Sequence, residues 1–196
     1  SDIRDRGVEG ISFTLEHMEK TCRISLPVAG RHNAVKAAVA AAVGGVFGID
    51  MKTAAEGLLK TKLTGSRHNI IDGPGFKIID DTYNASPDSM KGALKVLEKS
   101  KGKRKIAILG DMYELGGDSE RQHFGIGVFA RGLDIDILVA IGKDAGKTAE
   151  GAEGGRADIY RYVKKEEFYD KINEMTGDGD IILVKGSRGM EMEQIV

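Results

Sequence analysis

Residues 76–90 read FKIIDDTYNASPDSM, a short apolar strand that runs into a polar cluster and then into a helix start. Ile78 and Ile79 form the β-branched centre of the strand, and Asp80, Asp81, Thr82, Tyr83 and Asn84 follow where its carboxyl end opens into a loop. Ser86 suits an N-cap, Pro87 the first helical position and Asp88 the positive end of the helix dipole, while Met90, Ala93, Leu94 and Leu97 recur at helical spacing. A strand end that feeds a helix N-terminus is where open α/β sheets bind ligands. Neighbouring strand residues point to opposite faces, so only one of Asp80 and Asp81 is expected to face a ligand. The plainer alternative is that both terminate the strand and cap the loop.

From residue 76 onward, strand and helix patterns alternate, which predicts an α/β unit with a doubly wound, Rossmann-like, mostly parallel sheet. The expected strands are residues 76–80, 105–109, 135–140, 158–161 and 180–184. The expected helices are 87–99, 119–131, 145–150 and 165–175, with another starting near Met190. Upstream, Ile11 and Phe13 alternate, as do Cys22, Ile24 and Leu26, which predicts a hairpin. An alanine-rich helix over 33–47, stopped by Gly48, and a second over 51–60 follow. The polar, glycine-bearing run 61–75 reads as a linker, dividing the chain into residues 1–73 and 74–196.

The 196 residues suffice for one large or two small domains, and 29 basic against 30 acidic residues give a net charge of -1. That balance offers no electrostatic case for nucleic acid or an anionic membrane. One cysteine, Cys22, excludes an internal disulfide framework and a cysteine-rich zinc site, and is read as a small buried residue in a reducing compartment. No apolar run approaches the length of a membrane span, and residues 1–27 lack the layout of a signal peptide. Residues 142–148, GKDAGKT, approach a phosphate-binding loop but have three residues where that motif has four, and Ile141 stands where its first glycine belongs. A shortened loop cannot wrap a phosphate, so this segment is read as structural, with Lys147 and Thr148 on an exposed helix.

Four stretches carry a resemblance. IDDTYNASPDSM (79–90), GRHNAVKAAVAAA (30–42), GDMYELG (110–116) and LVKGSRGMEME (183–193) resemble, in order, segments of the Mur ligases. GDMYELG is similar to a loop of the branch that joins D-alanyl-D-alanine to a UDP-N-acetylmuramoyl tripeptide. The resemblance implies an ATP- and Mg2+-dependent amide ligase of the bacterial cytoplasm, working through an acyl phosphate. It implies that His32 and Asn33 lie near the adenine, that Arg67 approaches the phosphates, that Asp81 holds the nucleoside side, and that Tyr83, Asn84 and Ser86 lie beside it. It further implies that Asp111, Glu114, Lys185, Ser187 and Arg188 serve the dipeptide substrate.

The chain departs from the family pattern at Lys36, where an asparagine is expected, and lacks the family's phosphate-binding loop and metal ligands. It therefore reads as the end of a central domain followed by most of a C-terminal domain. Asn33 also suits a helix cap, Asn84 an Asx-turn, and Asp111 and Glu114 a turn. His123 is expected to be a packed or capping histidine. A folylpolyglutamate synthetase-like ligase and a non-catalytic nucleotide-binding module remain alternatives. The valines on several faces of the helix at 33–47 predict that residues 1–72 either self-associate or stay partly mobile when this chain stands alone.

Overall fold

The structure, a computed structural model, describes residues 1–17, 19–62 and 68–196. The first part is a three-stranded antiparallel sheet, β1 (Arg4–Asp5), β2 (Ile11–His17) and β3 (Lys20–Leu26), followed by α1 (His32–Val46) and α2 (Met51–Leu59). Alternation on β2 and β3 turns Ile11, Phe13, Ile24 and Leu26 to one side, where they pack with Val28, Ala34 and Ala37. Gly48 takes a φ of 82° just beyond α1, the left-handed turn expected to stop it. Asp50 caps α2 by accepting from the N–H groups of Lys52 and Thr53. Cys22 is half-buried rather than buried, because it lies at the sheet surface beside the start of α2, near the carbonyl of Met51.

The second part is a six-stranded sheet built from β4 (Asn69–Asp72), β5 (Lys77–Asp81), β6 (Lys105–Gly110), β7 (Ile137–Ile141), β8 (Asp158–Tyr162) and β9 (Ile181–Lys185). Its order is β4-β5-β9-β6-β7-β8, and every pairing is parallel except β4 with β5. The helices are α3 (Pro87–Lys99), α4 (Ser119–Arg131), α5 (Ala145–Ala152) and α6 (Glu166–Met175). Strand alternation divides the core in two. Ile79, Ala107, Leu109, Leu138 and Leu183 pack with Met90, Leu94 and Leu97 of α3 and Ile126 of α4. Ile78, Ile106, Ile108, Val139, Ile182 and Val184 pack with Phe168 of α6 and with Met192 and Ile195 on the opposite face. The sheet is thus covered on both faces, as the sequence predicts.

Four expectations need correction. Residues 69–72, read as linker, form the edge strand β4, because Ile70 and Ile71 pair with Ile79 and Ile78; the boundary placed after residue 73 therefore falls inside the large sheet. The strands at 77, 105, 137, 158 and 181 each run one residue further than expected, since the ladder continues past the apolar centre into Asp81 and Lys185. No α-helix starts near Met190: two 3-10 turns, Arg188–Met190 and Met192–Ile195, meet at Glu191, whose φ of 48° breaks helical continuity. Thr148 is buried rather than exposed, because α5 lies against α4 where Gly127 and Gly151 let the two backbones touch.

Candidate functional site

Parallel strands deliver their carboxyl ends to one rim, and there β5 and β9 place Asp81 directly beside Lys185 in register. The Lys185 Nζ lies 2.6 Å from Asp81 Oδ2 and 2.8 Å from the carbonyl oxygen of Asn84. Both side chains are inside the protein, with Lys185 1% and Asp81 5% exposed. Asp80 turns the other way and accepts from the N–H and hydroxyl of Thr82, the latter at 2.7 Å. The two adjacent carboxylates therefore divide as strand alternation requires: Asp80 shapes the loop and Asp81 lines a cavity.

That cavity, of about 390 Å³, lies between the start of α1 and the rim, lined by His32, Asn33, Lys36, His68, Asp81, Asn84 and Lys185 among others. Asn33 is buried, and its side-chain amide donates to the Ala29 carbonyl at 2.7 Å; it anchors the chain entering α1 rather than capping the helix, since a cap would have to accept. Asn84 accepts from the Ala85 N–H at 2.8 Å, and Tyr83 stands half out of the surface beside it. Ser86 closes a capping box with Ser89 at the head of α3. Arg67 lies outside the described residues.

The sequence reading missed His68. It takes a left-handed backbone with φ of 49°, donates its N–H to Asp81 Oδ1 at 3.2 Å and brings Nδ1 to 3.5 Å from the same oxygen. Its ring is tilted against that of His32, with centroids 6.0 Å apart. Burial holds the His68 imidazole below its ordinary pKa, Asp81 opposing this and Lys185 and Lys36 adding to it. Burial also lowers His32, together with the charges of Lys36 and His68. Sequence spacing gave no signal for His68, because its partner lies across the β4–β5 turn.

The second group divides differently from the expectation. Lys185 belongs to the Asp81 cluster and does not reach the loops after β6, since its three N–H donors already face Asp81 and Asn84. Asp111, at the end of β6, accepts from the N–H groups of Lys143 and Asp144 at 2.7 and 3.2 Å and so ties the β7–α5 loop to its own. Burial pushes its carboxyl up, against the pull of those N–H groups and His123. The turn reading of Asp111 thus has a definite geometry. Ser187 donates its N–H to the Asp111 carbonyl and accepts from the Tyr113 N–H through its hydroxyl at 2.8 Å.

Glu114 is exposed at a φ of 62° on the tip between cavities of about 990 and 450 Å³, and Arg188 lines the smaller one, 3.3 Å from Glu193. His123 is packed, as expected: Nε2 accepts from the Met112 N–H at 2.9 Å and Nδ1 faces the Ser119 carbonyl at 2.8 Å. Among the described residues, no group of three or more His, Cys, Asp or Glu side chains is arranged to hold a metal, and no helix is long and apolar enough to cross a membrane.

A mostly parallel sheet covered by helices on both faces, with Asp81, Asp111 and Lys185 gathered at or just beyond the carboxyl ends of its strands, defines a doubly wound α/β protein. Residues 66–188 match the family described as Mur ligase, glutamate ligase domain, and the chain belongs to that family. It is 39% identical over 192 residues to the UDP-N-acetylmuramoyl-tripeptide--D-alanyl-D-alanine ligase of Bacillus subtilis (strain 168), covering 96% of this chain and 42% of that relative. A crystal structure of MurF from Acinetobacter baumannii superposes with a TM-score of 0.89 at 30% identity, covering all of this chain and 43% of that one. MurF ligase from Thermotoga maritima, solved in complex with ADP, shares the fold with a TM-score of 0.79 at 22% identity, covering 98% of this chain and 44% of its own. The chain thus spans about two fifths of the length of the relatives it matches.

Proposed function

We propose that this chain supplies the nucleotide-closing and amine-substrate side of an ATP-dependent ligase that adds D-alanyl-D-alanine to a UDP-N-acetylmuramoyl tripeptide in peptidoglycan synthesis. The observation that carries this reading is the cavity between α1 and the sheet rim, where His32, Asn33, Asp81, Asn84 and Lys185 converge. It is supported by relatives named for that activity along nearly the whole chain.

On this reading the nucleoside lies against His32, Asn33, Asp81, Tyr83 and Asn84, with Arg67 reaching toward the phosphates. The tripeptide carboxylate takes the terminal phosphoryl group of ATP and releases ADP. The amine of the dipeptide then attacks the acyl phosphate, loses a proton and expels inorganic phosphate as the amide forms. Such a sequence depends on positioning and charge stabilisation more than on covalent chemistry of the protein. Asp111, Ser187 and Tyr113 fix the loops that shape the dipeptide side, and Glu114 and Arg188 are the exposed charges there. Magnesium would, when bound, neutralise charge on the ATP phosphates; among the described residues no group of three or more His, Cys, Asp or Glu side chains is arranged to hold it. The reading puts the protein in the bacterial cytoplasm, with ATP, the nucleotide-linked tripeptide and the dipeptide as its partners, and divides the chain between the two sheets, ahead of Asn69.

The test is a chimera in which this chain replaces the matching segment of the Bacillus subtilis relative. Amide formation dependent on both ATP and D-alanyl-D-alanine is expected. In that chimera Asp81→Ala should raise KM for ATP about tenfold or more, as loss of a charged hydrogen-bond partner does, and move KM for the dipeptide far less. A folded chimera that binds ATP but accepts only a different amine would replace the assignment with another ligase of the family.

A further inference from the structure

A carboxylate lining a cavity meant for a polyphosphate poses an electrostatic problem, because like charges at these distances repel strongly where water is scarce. Asp81 is such a carboxylate, 5% exposed at the cavity wall. Lys185 meets it at 2.6 Å, is itself 1% exposed, and spends its remaining donors on the carbonyls of Asn84 and Asp81. An ammonium so enclosed offers no free donor to a substrate carboxylate. What it does offer is a fixed positive charge beside the one anionic group that its cavity presents among the described residues.

Resting on the nucleotide reading of this cavity, we propose that Lys185 is a positioning and charge-cancelling residue: it holds Asp81 and the Asn84 carbonyl in place and makes the Asp81–Lys185 pair neutral, so that Asp81 can accept hydrogen bonds from a nucleoside without repelling its phosphates. Lys185 thereby serves the nucleotide and not the second substrate. The pairing is built into the sheet, since Asp81 and Lys185 are parallel neighbours in register at the ends of β5 and β9. Among the described residues, Lys36 and His32 on α1 and His68 ahead of β4 are the other basic groups facing the cavity, and none touches the Asp81 oxygen that Lys185 occupies.

The proposal fixes an order of selectivity rather than a single loss. Let the net charge of the pair be set by substitution: +1 in Asp81→Asn, zero in the unsubstituted chain and in the double variant Asp81→Asn with Lys185→Met, and -1 in Lys185→Met. Binding of adenosine and of ADP to each protein is measured by titration of assigned backbone amides at residues 81–86. The ratio of ADP to adenosine affinity should fall in that order, by about tenfold for each unit of charge. A role confined to folding would weaken both ligands together and leave the ratio flat across folded variants, and that result overturns the proposal while leaving the nucleotide site in place. Should Lys185→Met fail to fold, a ratio in Asp81→Asn no higher than in the unsubstituted chain overturns it equally. If neither ligand moves the amides at 81–86 in the unsubstituted chain, the nucleotide reading itself falls and takes this inference with it.

Discussion

The carboxylate of Asp111 occupies the space where Gly142 would carry a side chain, so the last residue-length of two neighbouring strand ends can close only around a glycine. Gly142 also takes a φ of 131°, a backbone that side-chain-bearing residues avoid. Two N–H groups directly beyond it, those of Lys143 and Asp144, are held by Asp111. Gly142→Ala therefore combines backbone strain with a clash, and a loss of about 1–3 kcal/mol in urea unfolding is expected. An alanine variant as stable as the parent would mean that this loop re-forms without the Asp111 contact.

Stability should also depend on the two cavity histidines. Burial lowers both His32 and His68 in the folded chain, so near neutrality the unfolded state binds more protons than the native one. The sign follows: stability is fully present above the ordinary histidine value near 6.5 and is lost as pH falls from there toward the depressed folded values. Urea unfolding between pH 5.5 and 8, run as a check in steps of about half a unit, should show this slope. His32→Gln with His68→Gln should flatten it. An equally steep double variant would assign the slope to other groups.

The segment 142–148 that approaches a phosphate-binding loop makes a contrasting pair of expectations. A Cβ at Gly151 would press into the Phe124 carbonyl, and one at Gly127 into the Thr148 carbonyl, so α4 and α5 touch backbone to backbone. Gly151→Ala should therefore cost about 1–3 kcal/mol by forcing the helices apart. Lys147 is exposed and, among the described residues, pairs with Glu150 and Glu120 alone, so Lys147→Ala should stay within about 0.5 kcal/mol of the parent. Phosphate titration should find no difference between parent and Lys147→Ala; a loss of phosphate binding in that variant would revive the motif.

Legibility of the chain followed the range of the forces involved. α3 and α4 were readable to the residue because their limits are local: Ser86 and Pro87 start one, and Lys99 and Arg131 stand in last turns. The strand ends were not, because a run of Ile and Val is expected to stop at a charge, whereas Asp81 and Lys185 stay in the ladder by neutralising one another. Nothing local announces a partner 104 residues away. β4 escaped notice for a related reason: a four-residue strand among glycine, proline and polar residues gains its stability from the neighbour it pairs with, not from its own pattern. The site shows the same division. The strand-to-helix junction singles out Asp81 and Asn84, which line the cavity, while His68 meets Asp81 only through the antiparallel register of β4 and β5, and Lys185, expected with the loops after β6, lies against Asp81 instead.

The outward face of α1 supports the last expectation. Ala34, Ala37 and Ala41 pack inward, and this leaves Val35 at 65%, Val39 at 58%, Val43 at 52%, Val46 at 84% and Phe47 at 81% exposed. Val35, Val39 and Val43 are four apart and line one side, with Val46 and Phe47 continuing it at the end. Large apolar side chains so arranged are costly in water, and contiguous patches of this kind mark surfaces that another surface covers. In solutions of this chain alone, pairing through α1 with a second copy is the expected outcome, since a two-fold contact would set each valine row against its counterpart. Sedimentation should show a concentration-dependent dimer, and Val39→Glu with Val43→Glu should return it to monomer without loss of helical circular dichroism. The competing outcome is a monomer whose amides in α1 and α2 exchange quickly while those of β5 stay protected, which would show that the small core of Ile11, Phe13, Ile24 and Leu26 is too weak to hold the helix by itself. A monomer with α1 as protected as β5 would contradict both, because the hairpin and the alanine face would then suffice to stabilise a helix that leaves five large apolar side chains in water.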